Sequence, residues 1–92
     1  RLKDDIETID DGLEKVLQLR GVSYIKKDSG RREVGVIAQE VEEVIPEVVR
    51  TNEDGIKSVS YGNMVSVLIE AVKELTEKVE SLESEVRELR GE

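Results

Sequence analysis

Residues 61–91 read YGNMVSVLIEAVKELTEKVESLESEVRELRG, and within them Leu68, Val72, Leu75, Val79, Leu82, Val86 and Leu89 recur at alternating steps of four and three. In heptad terms these place Val at every a position and Leu at every d position, and the seam extends back through Val65 to Tyr61. A helix from Ser60 to Arg90 is about 45 Å long at 1.5 Å per residue, too long for the preceding residues to cover. A single copy would leave its apolar stripe in water, so the spacing predicts self-association.

The flanking positions favour a parallel, in-register arrangement. Lys78 at g precedes Glu83 at e, and Glu85 at g precedes Arg90 at e, which sets opposite charges across a parallel interface. Nearer the start, Ile69 at e and Ala71 at g widen the apolar face, so that portion should pack on more than one neighbour, either a third helix or the head. β-Branched residues at a with Leu at d lean toward two strands, while the wider face leans toward more. The heptads leave that choice open. A long helix simply folded onto its own domain is the bland reading, and four consecutive heptads with complementary flanks exceed what a small head needs.

Composition narrows the remaining chemistry. Val, Ile and Leu supply 29 of 92 residues, Phe and Trp are absent, and Tyr24 and Tyr61 are the only aromatics. The core must be aliphatic, and two tyrosines argue against a base-stacking platform. A net charge of -8 disfavours nucleic acid and anionic membrane surfaces as partners. With no Cys and no His, disulfides, thiolate metal sites and imidazole bases are excluded. No metal or cofactor is expected. No run is long and apolar enough for a membrane span, and the first residues lack a signal-peptide core. The absence of an initial Met suggests a piece of something longer.

Ahead of the seam the patterning gives a small α+β head over residues 1–60, with residues 61–92 as the oligomerisation helix. Capping-box character at Thr8–Asp11 and the helical spacing of Ile9, Leu13, Val16 and Leu17 predict a helix from Ile9 to Leu19, stopped by Arg20-Gly21. Gly12 inside it costs about 1 kcal/mol relative to Ala. Residues 22–25 and 33–38 read as strands joined through Asp28-Ser29-Gly30, a hairpin whose tip carries Lys26, Lys27, Arg31 and Arg32. That basic cluster reads first as a solvated loop and second as a docking patch. A short helix follows from Gln39 to Ile45 and ends at Pro46. Residues 48–50 and 56–59 flank Asn52-Glu53-Asp54-Gly55, a tight reversal into a second hairpin. Ser60 and Gly91 cap the long helix.

Several of these stretches together resemble one family: Arg1-Leu2-Lys3-Asp4-Asp5-Ile6, Gly35 to Glu42, Ile45 to Val49, and Val59-Ser60-Tyr61 leading into Leu68-Ile69-Glu70-Ala71. It is the intramolecular chaperone domain, peptidase S74, found at the C-terminus of phage endosialidase tailspikes and tail fibres and, in a related form, in myelin regulatory factor. The resemblance covers nearly the whole chain. It implies a homotrimer that assists folding and assembly of the fibre domain preceding it in the same polypeptide, then cuts itself off as a single-turnover serine endopeptidase. It further implies action in the host cytoplasm during virus assembly and absence of the module from the mature virion fibre.

In that family a Ser-Asp-x-Arg-x-Lys segment marks the cut, with the Ser and the Lys forming a dyad. Arg1 and Lys3 match its Arg and Lys, whereas the Ser and Asp would lie just before Arg1, so the chain as given lacks the nucleophile. The resemblance thus implies Lys3 as catalytic residue, with Arg1, Gln39 and Glu40 as supporting residues. The chemistry is coherent: without His, a Ser hydroxyl needs a neutral Lys to take its proton. A free lysine titrates at about 10.4, so desolvation or nearby positive charge must bring it down. In an extended segment Arg1 and Lys3 point to the same side, and Arg1 could supply part of that effect. Taken alone, Lys3 beside two acids reads as a solvated surface residue, and Gln39-Glu40 as a helix start with Glu at the positive dipole end. The competing expectation is a non-catalytic coiled-coil cap of a fibrous protein, and a third is an adaptor whose helix pairs with a different protein.

Overall fold

The computed structural model describes residues 2–91. In chain order these form α1 (Gly12–Leu17), β1 (Val22–Ile25), β2 (Arg32–Gly35), α2 (Ala38–Val44), a 3-10 turn (Pro46–Val48), β3 (Val49–Thr51), β4 (Lys57–Val59) and α3 (Tyr61–Arg90). The fold is α+β. Each pair of strands is a separate antiparallel hairpin, with Val22 opposite Gly35 in the first and Val49 opposite Val59 in the second.

The 30-residue α3 begins and ends where its caps dictate. Ser60 accepts a hydrogen bond from the Asn63 N–H through its hydroxyl, and Gly91 closes the last turn at φ 75°, a left-handed conformation that glycine adopts without penalty. The first turns of α3 also build the head. Met64 and Val67 join Val41 and Ile45 of the α2 segment, together with Val48 and Val49, in one aliphatic cluster. Val41, at the centre, is 1 % exposed. Val16, Leu19, Val36, Val44 and Val59 pack around the cluster, and no polar side chain is buried among the described residues.

The turns follow the local chemistry. Asn52 Oδ1 accepts the N–H groups of Asp54 and Ile56 at 2.9 Å each, and the Gly55 N–H donates to the Asn52 carbonyl at 3.0 Å. Gly55 takes φ 80°, so the reversal is a three-residue loop with glycine at its left-handed position. Lys57 then ties this hairpin to α2, with Nζ 3.1 Å from the Glu42 carboxylate and 3.1 Å from Thr51 Oγ1.

The first helix departs from expectation. It starts at Gly12 rather than Ile9, behind Asp11 at φ 59°, and no side chain from its own segment caps it. The acceptor comes instead from α3: Leu13 N–H donates to Glu74 Oε2 at 3.1 Å, across 61 residues of sequence. Ile9 lies ahead of the helix and packs on the core. Gly12 is buried where α1 crosses α3. A Cβ there would meet the Ala71 backbone nitrogen at 2.9 Å and the Val67 carbonyl oxygen at 3.1 Å. What looks in sequence like a weak point in a helix is the closest approach between two helices.

Candidate functional site

Two surfaces qualify as sites, and α3 carries the larger. The residues it turns toward the head are Met64, Val67, Ala71 and Glu74, at g, c, g and c of the heptads. At 3.6 residues per turn that face lies about 110° round the helix from a/d. The seam is therefore uncovered. Val65, Leu68, Val72, Leu75, Val79, Leu82 and Val86 are between 42 and 60 % exposed, and Leu89 is 89 % exposed. Of the two residues that widen the face, Ala71 is buried against the chain's own α1 while Ile69 stays 53 % exposed. The head accordingly supplies one of the additional neighbours, but not for Ile69.

Area gives the same result. The chain exposes 7716 Å², against about 5,400 Å² for a compact folded monomer of its mass. The radius of gyration is 18.1 Å, against about 12 Å for a compact chain of this length. An excess of this size reflects the length of α3 that runs on past the head.

Tyr61, the first residue of the seam, has a second engagement. Its hydroxyl accepts the Val36 N–H at 3.3 Å, and it reaches there because Gly35 has no side chain: a Cβ at that position would stand 2.6 Å from Tyr61 Oη. The tyrosine thereby joins the start of α3 to the segment running from β2 into α2. Its ring remains accessible, the residue being 53 % exposed.

The second surface is the one implied for cleavage. Lys3 lies in the exposed irregular segment ahead of α1, beside Leu2 and Ile6, which are exposed as well. Arg1 lies outside the described residues. Gln39 and Glu40 occupy the first turn of α2, Gln39 exposed and Glu40 half-buried. No hydrogen bond or ion pair joins Lys3 to either of them among the described residues. Glu40 is held by Arg20, which local spacing marks only as part of a helix stop: Nε lies 2.9 and 3.2 Å from the two carboxylate oxygens and Nη2 2.8 Å from one of them. This two-pronged pair lowers the Glu40 carboxyl below its ordinary range, chiefly through the hydrogen bonds from Arg20, with the guanidinium charge assisting against desolvation. It raises the Arg20 guanidinium in return. Its effect is to pin the chain after α1 to the start of α2.

The basic residues at the tip of the first hairpin are exposed, with Arg32 bonded to Ser23 Oγ at 2.9 Å. Among the described residues no cluster of acidic side chains could hold a metal ion, and no helix is long and apolar enough to cross a membrane.

The profile of the peptidase S74 family, described as the chaperone of endosialidase, matches residues 1–50. This span contains Lys3, Gln39 and Glu40 and stops short of α3. The long tail fibre protein Gp37 of Enterobacteria phage K3 is 38 % identical over 95 residues, covering 94 % of this chain and 8 % of that protein. Gp37 of Enterobacteria phage M1 is 36 % identical, covering 91 % of the chain and 38 % of that protein. Gp37 of Salmonella phage S16 is 27 % identical across 98 % of the chain and 14 % of that protein. The chain thus spans well under half the length of these relatives, and its likeness to them includes the long helix.

Proposed function

The chain belongs to the peptidase S74 family, the chaperone of endosialidase, and from that premise we propose that it is a C-terminal intramolecular chaperone which clamps three copies of a phage tail fibre together and is then released by self-cleavage. The observation that carries the clamp is the bare heptad seam on α3, rigidly rooted in a head of this family. Intertwined fibres form slowly because their contacts are non-local, and three chains must find one register. Holding the C-termini together raises their effective concentration. Cutting afterwards removes the clamp from the reverse reaction and leaves the fibre kinetically trapped.

In the longer polypeptide, Lys3 acts as the base for a Ser lying just upstream of Arg1. The hydroxyl attacks the carbonyl of the residue before it while Lys3 takes its proton. The C–N bond to the Ser nitrogen then breaks as Lys3 returns that proton to the nitrogen, and water hydrolyses the resulting ester, so that the fibre leaves with a free carboxylate and the Ser hydroxyl is restored. Arg1, Gln39 and Glu40 support the site, Glu40 by fixing the start of α2 through Arg20. The module works in the host cytoplasm during virus assembly and is lost from the finished fibre.

The test restores the upstream fibre segment together with its Ser-Asp. A discrete fragment on a denaturing gel, abolished by Lys3→Ala, is the expected result. An uncut wild-type chain that still assembles would replace the peptidase with a non-catalytic oligomerisation cap. A chain that sediments as a monomer would point to a foreign partner for α3.

A further inference from the structure

We infer that α1 is itself part of the contact between copies: in the parallel assembly, Ile69 of one copy seats on Leu13 and Leu17 of the next. The inference rests on the proposed self-assembly through the seam and adds to it a surface that the heptads do not contain.

The argument begins with which way α1 faces. Gly12, Val16 and Leu19 turn inward, Gly12 onto α3 and the other two onto the core. Lys15 lines a groove with Asn63, Ser66 and Val67 of α3 and a second one with Glu43 and Val44. That flank of α1 therefore looks toward the b, c and f positions of α3 and toward α2. At 3.6 residues per turn, Leu13 and Leu17 lie on the opposite flank of α1. This is the flank beside the d positions, so Leu13 and Leu17 border the seam. Leu17 is 75 % exposed, and it is not among the apolar residues packed on the core.

Parallel coiled-coil geometry then fixes what comes to it. The g flank of each helix abuts the e flank of the next, and a g residue meets the e residue five positions on. Here the g positions Met64 and Ala71 are buried under the chain's own head. The residue facing Met64 from the adjacent copy is Ile69. It cannot reach a g side chain that the head already covers, so it meets the head. The apolar partners on that side are Leu13 and Leu17. The excess exposed area of more than 2,000 Å² relative to the compact-monomer value is ample for two interfaces of about 800 Å² per partner, which a second and third copy of the same chain would use.

The test exploits the absence of cysteine from the chain. A full-length Leu17→Cys/Ile69→Cys variant, assembled and then oxidised, should give chains linked in closed oligomers on a non-reducing denaturing gel, while each single variant runs as one chain. Sedimentation before oxidation separates the possible failures. An oligomer that forms no inter-chain link overturns this inference alone, and a monomer overturns the proposed assembly with it. A second pair of variants reads the contact energetically. Leu17→Glu should raise the dissociation midpoint about tenfold, the scale of one well-packed interface residue, and adding Ile69→Lys should bring it back toward wild type. Equal dissociation of the single and double variants would overturn the contact.

Discussion

Gly12 sits against α3 so closely that a methyl group in place of its hydrogen would stand 2.9 Å from the Ala71 backbone nitrogen. The obstacle is backbone, which cannot swing aside as a side chain could. This one contact sets the distance between α1 and the helix that carries the seam.

Gly12→Ala should therefore destabilise the head, although Ala is the better helix former by about 1 kcal/mol. Overpacking of this kind costs about 1–3 kcal/mol, and a net loss of about 1 kcal/mol should appear as a lower urea midpoint. A stabilised variant would mean that α1 and α3 are not held at this spacing.

Glu74→Ala removes the acceptor for Leu13 N–H. The loss should resemble that of a helix cap, about 1 kcal/mol, and it should be local. Amide exchange at Leu13 and Glu14 should accelerate well before exchange at Val41 does. Glu74→Gln keeps an oxygen in place and should recover most of the protection.

Tyr61→Phe keeps the ring and deletes the acceptor for Val36 N–H, a change of about 0.5–1.5 kcal/mol. Gly35→Ala would press on the same hydroxyl, 2.6 Å away, and displace it. The two changes break one contact, so the double variant should lose less than the sum of the singles in denaturant titrations.

Acidification should expose the Arg20–Glu40 pair. The folded-state carboxyl of Glu40 lies below its ordinary value of 4.5. Its contribution is thus fully present above that value and is lost as pH falls through the lowered one. Wild type should exceed Glu40→Gln in stability at neutral pH, and the two should converge in acid. Both partners are substantially exposed, at 67 and 40 %, so raising the salt concentration should narrow the gap as well.

Leu75→Asp or Leu82→Asp places an unpaired charge in the proposed seam, at a cost of about 3 kcal/mol or more per buried charge. Sedimentation should show smaller species with an unchanged head. Undisturbed assembly would exclude the seam as the interface.

How much of this was legible in the sequence depended on the range of the interaction. The seam, the Ser60 and Gly91 caps and both hairpin turns are written in neighbouring residues, and each stands where local spacing puts it. The start of α1 departs from the local capping pattern at Thr8 because the acceptor that forms comes from Glu74, far along the chain. Gly12 looked like a flaw because nothing near it reveals that Ala71 will cross there. The Arg20–Glu40 pair is hidden for the same reason, since local spacing marks Arg20 only as part of a helix stop and its partner belongs to another element. Tyr61 fits both the seam spacing and the family resemblance, and neither announces its contact with Val36, which depends on a missing side chain at Gly35.

From Leu75 onward every described residue of α3 is exposed, so the head has no stake in what the rod does past Glu74. In the proposed assembly, adding or deleting whole heptads there would leave the aliphatic cluster and the α1 crossing as they are while changing how tightly copies grip. The length of the rod is then a dial that evolution or an engineer can turn separately from the folding of the head, and under the proposed assembly it would set how long the copies stay joined.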